Sequence, residues 1–169
     1  KIAQPWAQMM SMMAGMFAGD NNASIDPDQA LIDGAKRFNW LLPEHLSQMP
    51  DSLVKLEEAQ AWDVATDALE KGVAQFAPYA NRLSFDTIEG WLLLANSATS
   101  DPIMRGYTGA TDWMNPRFTA QFDTPNDYNL PRLPGLIVHE MHHLIRFALF
   151  PFGPQTSVAD YIVAEGTAE

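Results

Sequence analysis

The sequence predicts an α+β fold with a mainly helical first half, a small sheet, and two closing helices. Two contrasts along the chain carry that reading. Up to about residue 80, apolar residues recur at helical spacing; between 83 and 123, Gly, Pro, Asn and Asp punctuate short apolar or β-branched runs. After a turn-rich stretch, an apolar run interrupted by a histidine cluster returns to helical length. At 169 residues the chain suits one domain, 1–169, with a helical part over 1–80 and a sheet-plus-helices part over 81–169.

The first helix is expected between Ile2 and Phe17, where Ile2, Trp6, Met9, Met13 and Phe17 share a face; Gln4, Gln8 and Ser11 argue against a signal or membrane segment. Asp26 is a candidate cap with Pro27 in the first turn, and Ala35, Phe38 and Leu42 continue an apolar face as far as Pro43. One long helix is expected from Asp51 to about Phe76, stopped by Pro78. His45, just after Pro43-Glu44, is expected to face solvent.

Trp91–Leu94 and Phe118–Phe122 are candidate strands, joined by a Gly-rich loop, Gly106-Tyr107-Thr108-Gly109. The run Arg117–Phe122 has two readings: an edge strand that aligns an extended peptide, or a core strand with Phe118, Ala120 and Phe122 on one face. Leu133 to Phe150 reads as a buried helix. Pro151, Gly153 and Pro154 break it, and Thr156 or Ser157 caps a last helix reaching Glu169.

Composition removes several function classes. Acidic residues outnumber basic ones 21 to 10, the formal charge is -11, and no Lys/Arg cluster relieves it, so nucleic acid and anionic membrane surfaces are poor partners. There is no cysteine, which excludes disulfides, thiolate metal sites and cysteine nucleophiles together. Any metal must sit on histidine and carboxylate. No membrane insertion is expected, and the lack of a recognisable signal makes a cytoplasmic protein the expectation, although the chain does not begin with Met. Oligomeric state is left open.

Three of the four histidines fall in His139-Glu140-Met141-His142-His143, an H-E-x-x-H arrangement. Residues four apart on a helix are turned by about 40° and raised by about 6 Å, so His139 and His143 leave one face together and can share a tetrahedral Zn2+ ion. Glu140 points too far round to be an ideal ligand yet reaches a metal-activated water, the place of a general base. The flanking Leu136, Ile137, Val138, Leu144 and Ile145 make the helix a buried one, where unpaired His and Glu would be costly to desolvate.

A catalytic zinc needs a third protein ligand, and Glu165 and Glu169 are both placed to supply it. From His143 to the helix end near Leu149 is roughly 9 Å, and from Ser157 to Glu165 roughly 12 Å back along a returning helix. Glu165 therefore returns to the level of the histidines. Glu169, one turn on, falls beside them and is assigned to a supporting hydrogen bond on a ligand histidine, with exchange of the two roles left open. His142 reads as a neighbour of the site with a chance of touching substrate. Among Tyr107, Tyr128, Arg146 and Tyr161, the last is favoured as a transition-state contact because it lies one turn before Glu165.

His139-Glu140-x-x-His143 followed by Glu165-Gly166-Thr167-Ala168-Glu169 resembles the gluzincin pattern, and the stretch from about Arg82 resembles the YjaZ-like family of predicted zinc-dependent proteases. That resemblance implies a zincin-like metallopeptidase domain, a peptide or protein substrate, His139, His143 and Glu165 as zinc ligands and Glu140 as base. It also implies truncation at the C-terminus, since such domains continue. Two other readings stand beside the peptidase: a zinc-binding module that acts by holding a partner, and a zinc hydrolase of a non-peptide amide or ester.

Overall fold

The computed structural model describes residues 27–112, 115–151, 153 and 155–168. The helix expected over Ile2–Phe17 and the Asp26 cap lie outside them. The α+β expectation holds: among the described residues, five α-helices accompany a three-stranded sheet.

Helix α1 spans Pro27–Arg37, five residues short of Leu42, because Asn39 turns the chain with φ 58°. A 3-10 turn, Pro43–Gln48, follows, and here His45 departs from expectation. Rather than facing solvent it is half-buried, its Nδ1 accepting the Leu42 amide at 3.2 Å and its Nε2 lying 3.3 Å from Asn96 Nδ2.

The single helix expected from Asp51 to Phe76 is two, α2 (Met49–Glu58) and α3 (Ala61–Phe76), broken at Gln60 with φ 50°. The break has a packing reason. Leu56 and Ala61 are both buried in the core, yet five positions on a straight helix are turned by about 140° from each other. A left-handed residue between them lets both enter.

The strands are β1 (Glu89–Leu94), β2 (Tyr107–Asp112) and β3 (Arg117–Phe122), in the order β1-β3-β2, with β1 parallel and β2 antiparallel to β3. Two expectations are corrected here. Tyr107–Gly109 is not loop but the start of β2, the chain turning just before it at Arg105 (φ 53°) and Gly106 (φ 84°). Arg117–Phe122 is the central strand, buried on both faces, so of its two readings the core strand is the observed one and β2 takes an edge.

Phe118, Ala120 and Phe122 face a core completed by Leu133, Ile137, Met141, Leu144 and Ile145 of α4 (Leu133–Leu149). Helix α3 packs against α4 and joins the same core through Ala61 and Ala68, near enough that a side-chain carbon on Gly72 would sit 3.2 Å from Met141 Sδ. Helix α5 (Val158–Gly166) opens on a reciprocal cap: Ser157 Oγ accepts the Asp160 amide at 3.2 Å and Asp160 Oδ2 accepts the Ser157 amide at 2.9 Å. It ends at Gly166, short of the expected Glu169, with Thr167 donating to the Val163 carbonyl. No described helix is long and apolar enough to cross a membrane.

Candidate metal centre

The middle of α4 lies against β2, so its motif residues sit at the junction of core and surface. His143 is buried and stacks on Phe147, with ring planes 7° apart, while His139 on the preceding turn is half-buried. The two Nε2 atoms are 3.0 Å apart. Helix α5 brings the Glu165 carboxylate across, its Oε2 lying 3.5 Å from each of those nitrogens.

Those three distances test the site for a metal. Ligand atoms 2.0–2.1 Å from a tetrahedral zinc are separated by roughly 3.3 Å, and the observed 3.0, 3.5 and 3.5 Å bracket that value. Two imidazoles and one carboxylate are also a donor set suited to zinc. Burial, followed by the neighbouring His139, holds His143 below the usual imidazole range, which keeps it in the neutral form that a metal requires. The residues fit the ion.

Glu140 leaves the same helix toward β2 and is almost wholly buried. Burial raises its carboxyl from 4.5 to about 7, opposed by a hydrogen bond from Thr111 and reinforced by the Glu165 charge. Thr111 Oγ1 donates to Glu140 Oε2 at 2.8 Å. On the same face of β2, Gly109 leaves room for the carboxyl arm: a Cβ there would collide with the carboxyl group and stand 2.5 Å from Glu140 Cγ. A strand that elsewhere carries side chains is bare at the one point where the glutamate passes.

The cleft over these residues has a volume of about 970 Å³, walled by β2 on one side and by His139, Glu140 and His143 on the other, with Tyr161 and Glu165 of α5 closing it. Tyr161 is half-exposed and lines the cleft. His142 does not line it; the ring faces Phe76 at 6.2 Å and Thr167 Oγ1 at 3.5 Å. Glu169 lies outside the described residues. Of the other candidate contacts, Tyr107 lines the cleft, whereas Arg146 lies over Phe150 and Tyr128 sits outside the lining.

Thr111 and Gly109 are the residues that sequence reasoning missed. The one signal available was a glycine inside the β-branched run Tyr107–Asp112, which marks close approach of another group.

The model of a protein family described as "Predicted Zn-dependent protease (DUF2268)" matches residues 61–169, taking in every element from α3 onward. The chain belongs to this DUF2268 family. As a DUF2268 protein it is similar to YjfC of Bacillus subtilis (strain 168), an uncharacterized protein, with 31% identity over 140 residues. The match takes in 82% of this chain and 46% of YjfC, so the chain spans about half the length of that relative. No solved structure matches it. The match to a family described as predicted zinc-dependent proteases and the His-His-Glu cluster thus fall in the same part of the chain, which includes helices α4 and α5.

Proposed function

We propose that this chain is a gluzincin-type zinc peptidase in which His139, His143 and Glu165 hold the ion and Glu140 is the general base. The observation that carries this reading is the convergence of His139 Nε2, His143 Nε2 and Glu165 Oε2 within 4.8 Å, beside a buried carboxyl group that is not among the three. A purely structural ion has no use for such a group. A zinc ion held by these three side chains would supply a Lewis acid able to acidify water and polarise a carbonyl.

The chain's own residues do the rest. Glu140 takes a proton from the attacking water and delivers it to the leaving amine. Its raised proton affinity suits a base working near neutrality, and Thr111 fixes the carboxylate through Oε2, leaving Oε1 as the atom that carries the proton. Gly109 keeps the arm from being displaced into the cleft. The substrate lies along β2, an edge strand whose main chain can pair with an extended peptide above the histidines. Tyr161 stands on the opposite wall, one turn before Glu165, where its hydroxyl can donate to the developing oxyanion.

The test is incubation of the zinc-loaded chain with a mixed peptide library, read by mass spectrometry against Glu140→Gln. Cleavage by the parent and its loss in the variant are expected. Equal product patterns would sink the peptidase reading, and turnover confined to non-peptide amides or esters would move the activity to another substrate class.

A further inference from the structure

We propose that Arg132, braced on Tyr128, forms an anion-recognition subsite at the end of the cleft, selecting peptides with an acidic side chain about three residues from the bond at the metal centre. The proposal rests on the peptidase reading above and adds the substrate class to it.

Among the described cleft-lining residues, Arg132 is the one Lys or Arg, in a chain whose formal charge is -11. Its guanidinium lies 3.8 Å from the centroid of the Tyr128 ring, and its Nη1 donates to the Tyr128 carbonyl. Arg105 approaches the same ring at 4.8 Å and donates to the Tyr128 hydroxyl at 2.5 Å. Two guanidinium groups therefore converge on one tyrosine. Yet the ion pairs within 4.0 Å among the described residues involve Lys71, Arg117, His139 and His143, and neither of these arginines. Asp123 shares a surface pocket with Arg105 and Tyr128 but makes no ion pair within 4.0 Å with either arginine, so two like charges held together and unpaired at that distance, on a protein with 21 acidic residues, make a place suited to an anion from outside.

The platform is also fixed before any ligand arrives. Asn129 is fully buried, and its Nδ2 reaches the Thr124 carbonyl at 3.0 Å and the Arg105 carbonyl at 3.1 Å; its Oδ1 accepts the Asn126 amide at 2.9 Å. Asn126 Oδ1 in turn accepts the Tyr128 amide at 2.9 Å. This one polar knot ties the Tyr128 loop to the backbone of Arg105, so ordering the site costs a ligand little. Arg carries five N–H donors in a planar fork, and the Tyr128 carbonyl engages only one Nη of Arg132, leaving donors for a carboxylate.

Position sets the spacing. Arg132 directly precedes α4, seven residues before His139, or roughly 10 Å along the axis at the helical rise. An extended peptide covers that distance in about three residues. With a screening length of about 8 Å at physiological ionic strength, the remaining negative charge of the protein does not cancel so local a contact.

The experiment uses binding, so it does not depend on turnover. Zinc-loaded Glu140→Gln protein is titrated by fluorescence anisotropy into short end-blocked peptides in which Glu, Gln or Lys is scanned through each position. The Glu peptide should bind about fivefold tighter than its Gln counterpart at one position, with the preference abolished by Arg132→Gln and reversed in favour of Lys by Arg132→Glu. The reversal is a gain that misfolding cannot imitate. No binding, equal binding of the three peptides, or an acidic preference that survives Arg132→Glu would overturn the subsite. Binding with charge preference but no cleavage by the parent protein would leave the subsite standing and sink the peptidase reading, and cleavage without charge preference would do the converse.

Discussion

Replacing Glu140 by Gln in the metal-free protein should change how stability depends on pH, by an amount the structure sets. Burial lifts the folded-state carboxyl from 4.5 to about 7, so the native protein holds a proton that the unfolded chain releases between those values. The stabilisation belonging to the protonated form is complete below about pH 4.5 and is lost as pH rises through about 7. At 1.36 kcal/mol for each pH unit the loss amounts to about 3 kcal/mol. Only 6% of Glu140 is exposed, so solvent screening removes little of it. His143 changes in the opposite direction: with its folded value depressed, its contribution is lost as pH falls. That contribution is present in both proteins and drops out of their difference.

The assay is urea denaturation of chelator-treated parent and Glu140→Gln proteins at about pH 4.5 and about pH 8.5. Taking a slope of about 2 kcal/mol per molar urea, the variant should gain about 1.5 M in midpoint, relative to the parent, at the higher pH over the lower. Glutamine keeps an acceptor for Thr111, so the comparison isolates the charge. Parallel pH profiles for the two proteins would show that the carboxyl group is solvated in the folded state and would refute the reasoning.

Two further outcomes follow from the same geometry. Gly109→Ala should cost about 1–3 kcal/mol through overpacking and reduce peptide cleavage by about 100-fold, because the Glu140 arm has to move; an unchanged turnover rate in library cleavage would show that the arm does not pass there. Glu165→Ala should weaken zinc binding by more than the ~10- to 100-fold that follows loss of a supporting hydrogen bond, and by far more than Glu169→Ala. Competition against a chelating dye measures both, and equal losses would remove Glu165 from the ligand set.

Much of this arrangement was legible in the sequence because local chemistry enforces it. The H-E-x-x-H helix announces itself by an apolar face around polar residues that need partners, and the Ser157 cap fixes where the returning helix begins, which is why a count of helical rise brings Glu165 to the histidines. What the sequence hid was decided by contacts between distant segments. Gly109 read as loop because glycine weakens a strand, and its reason for being there lies 31 positions away in Glu140. Arg117–Phe122 alternates apolar with polar residues, yet Thr119 and Gln121 are buried as deeply as their neighbours, so alternation alone could not tell a central strand from an edge. Gln60 adopts a left-handed conformation with no glycine to advertise it.

The unequal anchorage of the three candidate ligands has a thermodynamic consequence. His139 and His143 ride on a helix sunk in the core, but Glu165 rides on a nine-residue helix that buries Ala164 and leaves Val158, Tyr161, Ile162 and Val163 exposed. A short helix so lightly held draws part of its stability from whatever it grips. If zinc is that object, ion and helix are reciprocal effectors: the free energy the ion gains from finding Glu165 in place is the free energy by which the ion pins α5. Any contact that steadies the outer face of α5 is then registered as tighter metal binding, and chelation is registered as release of α5 from the cleft wall.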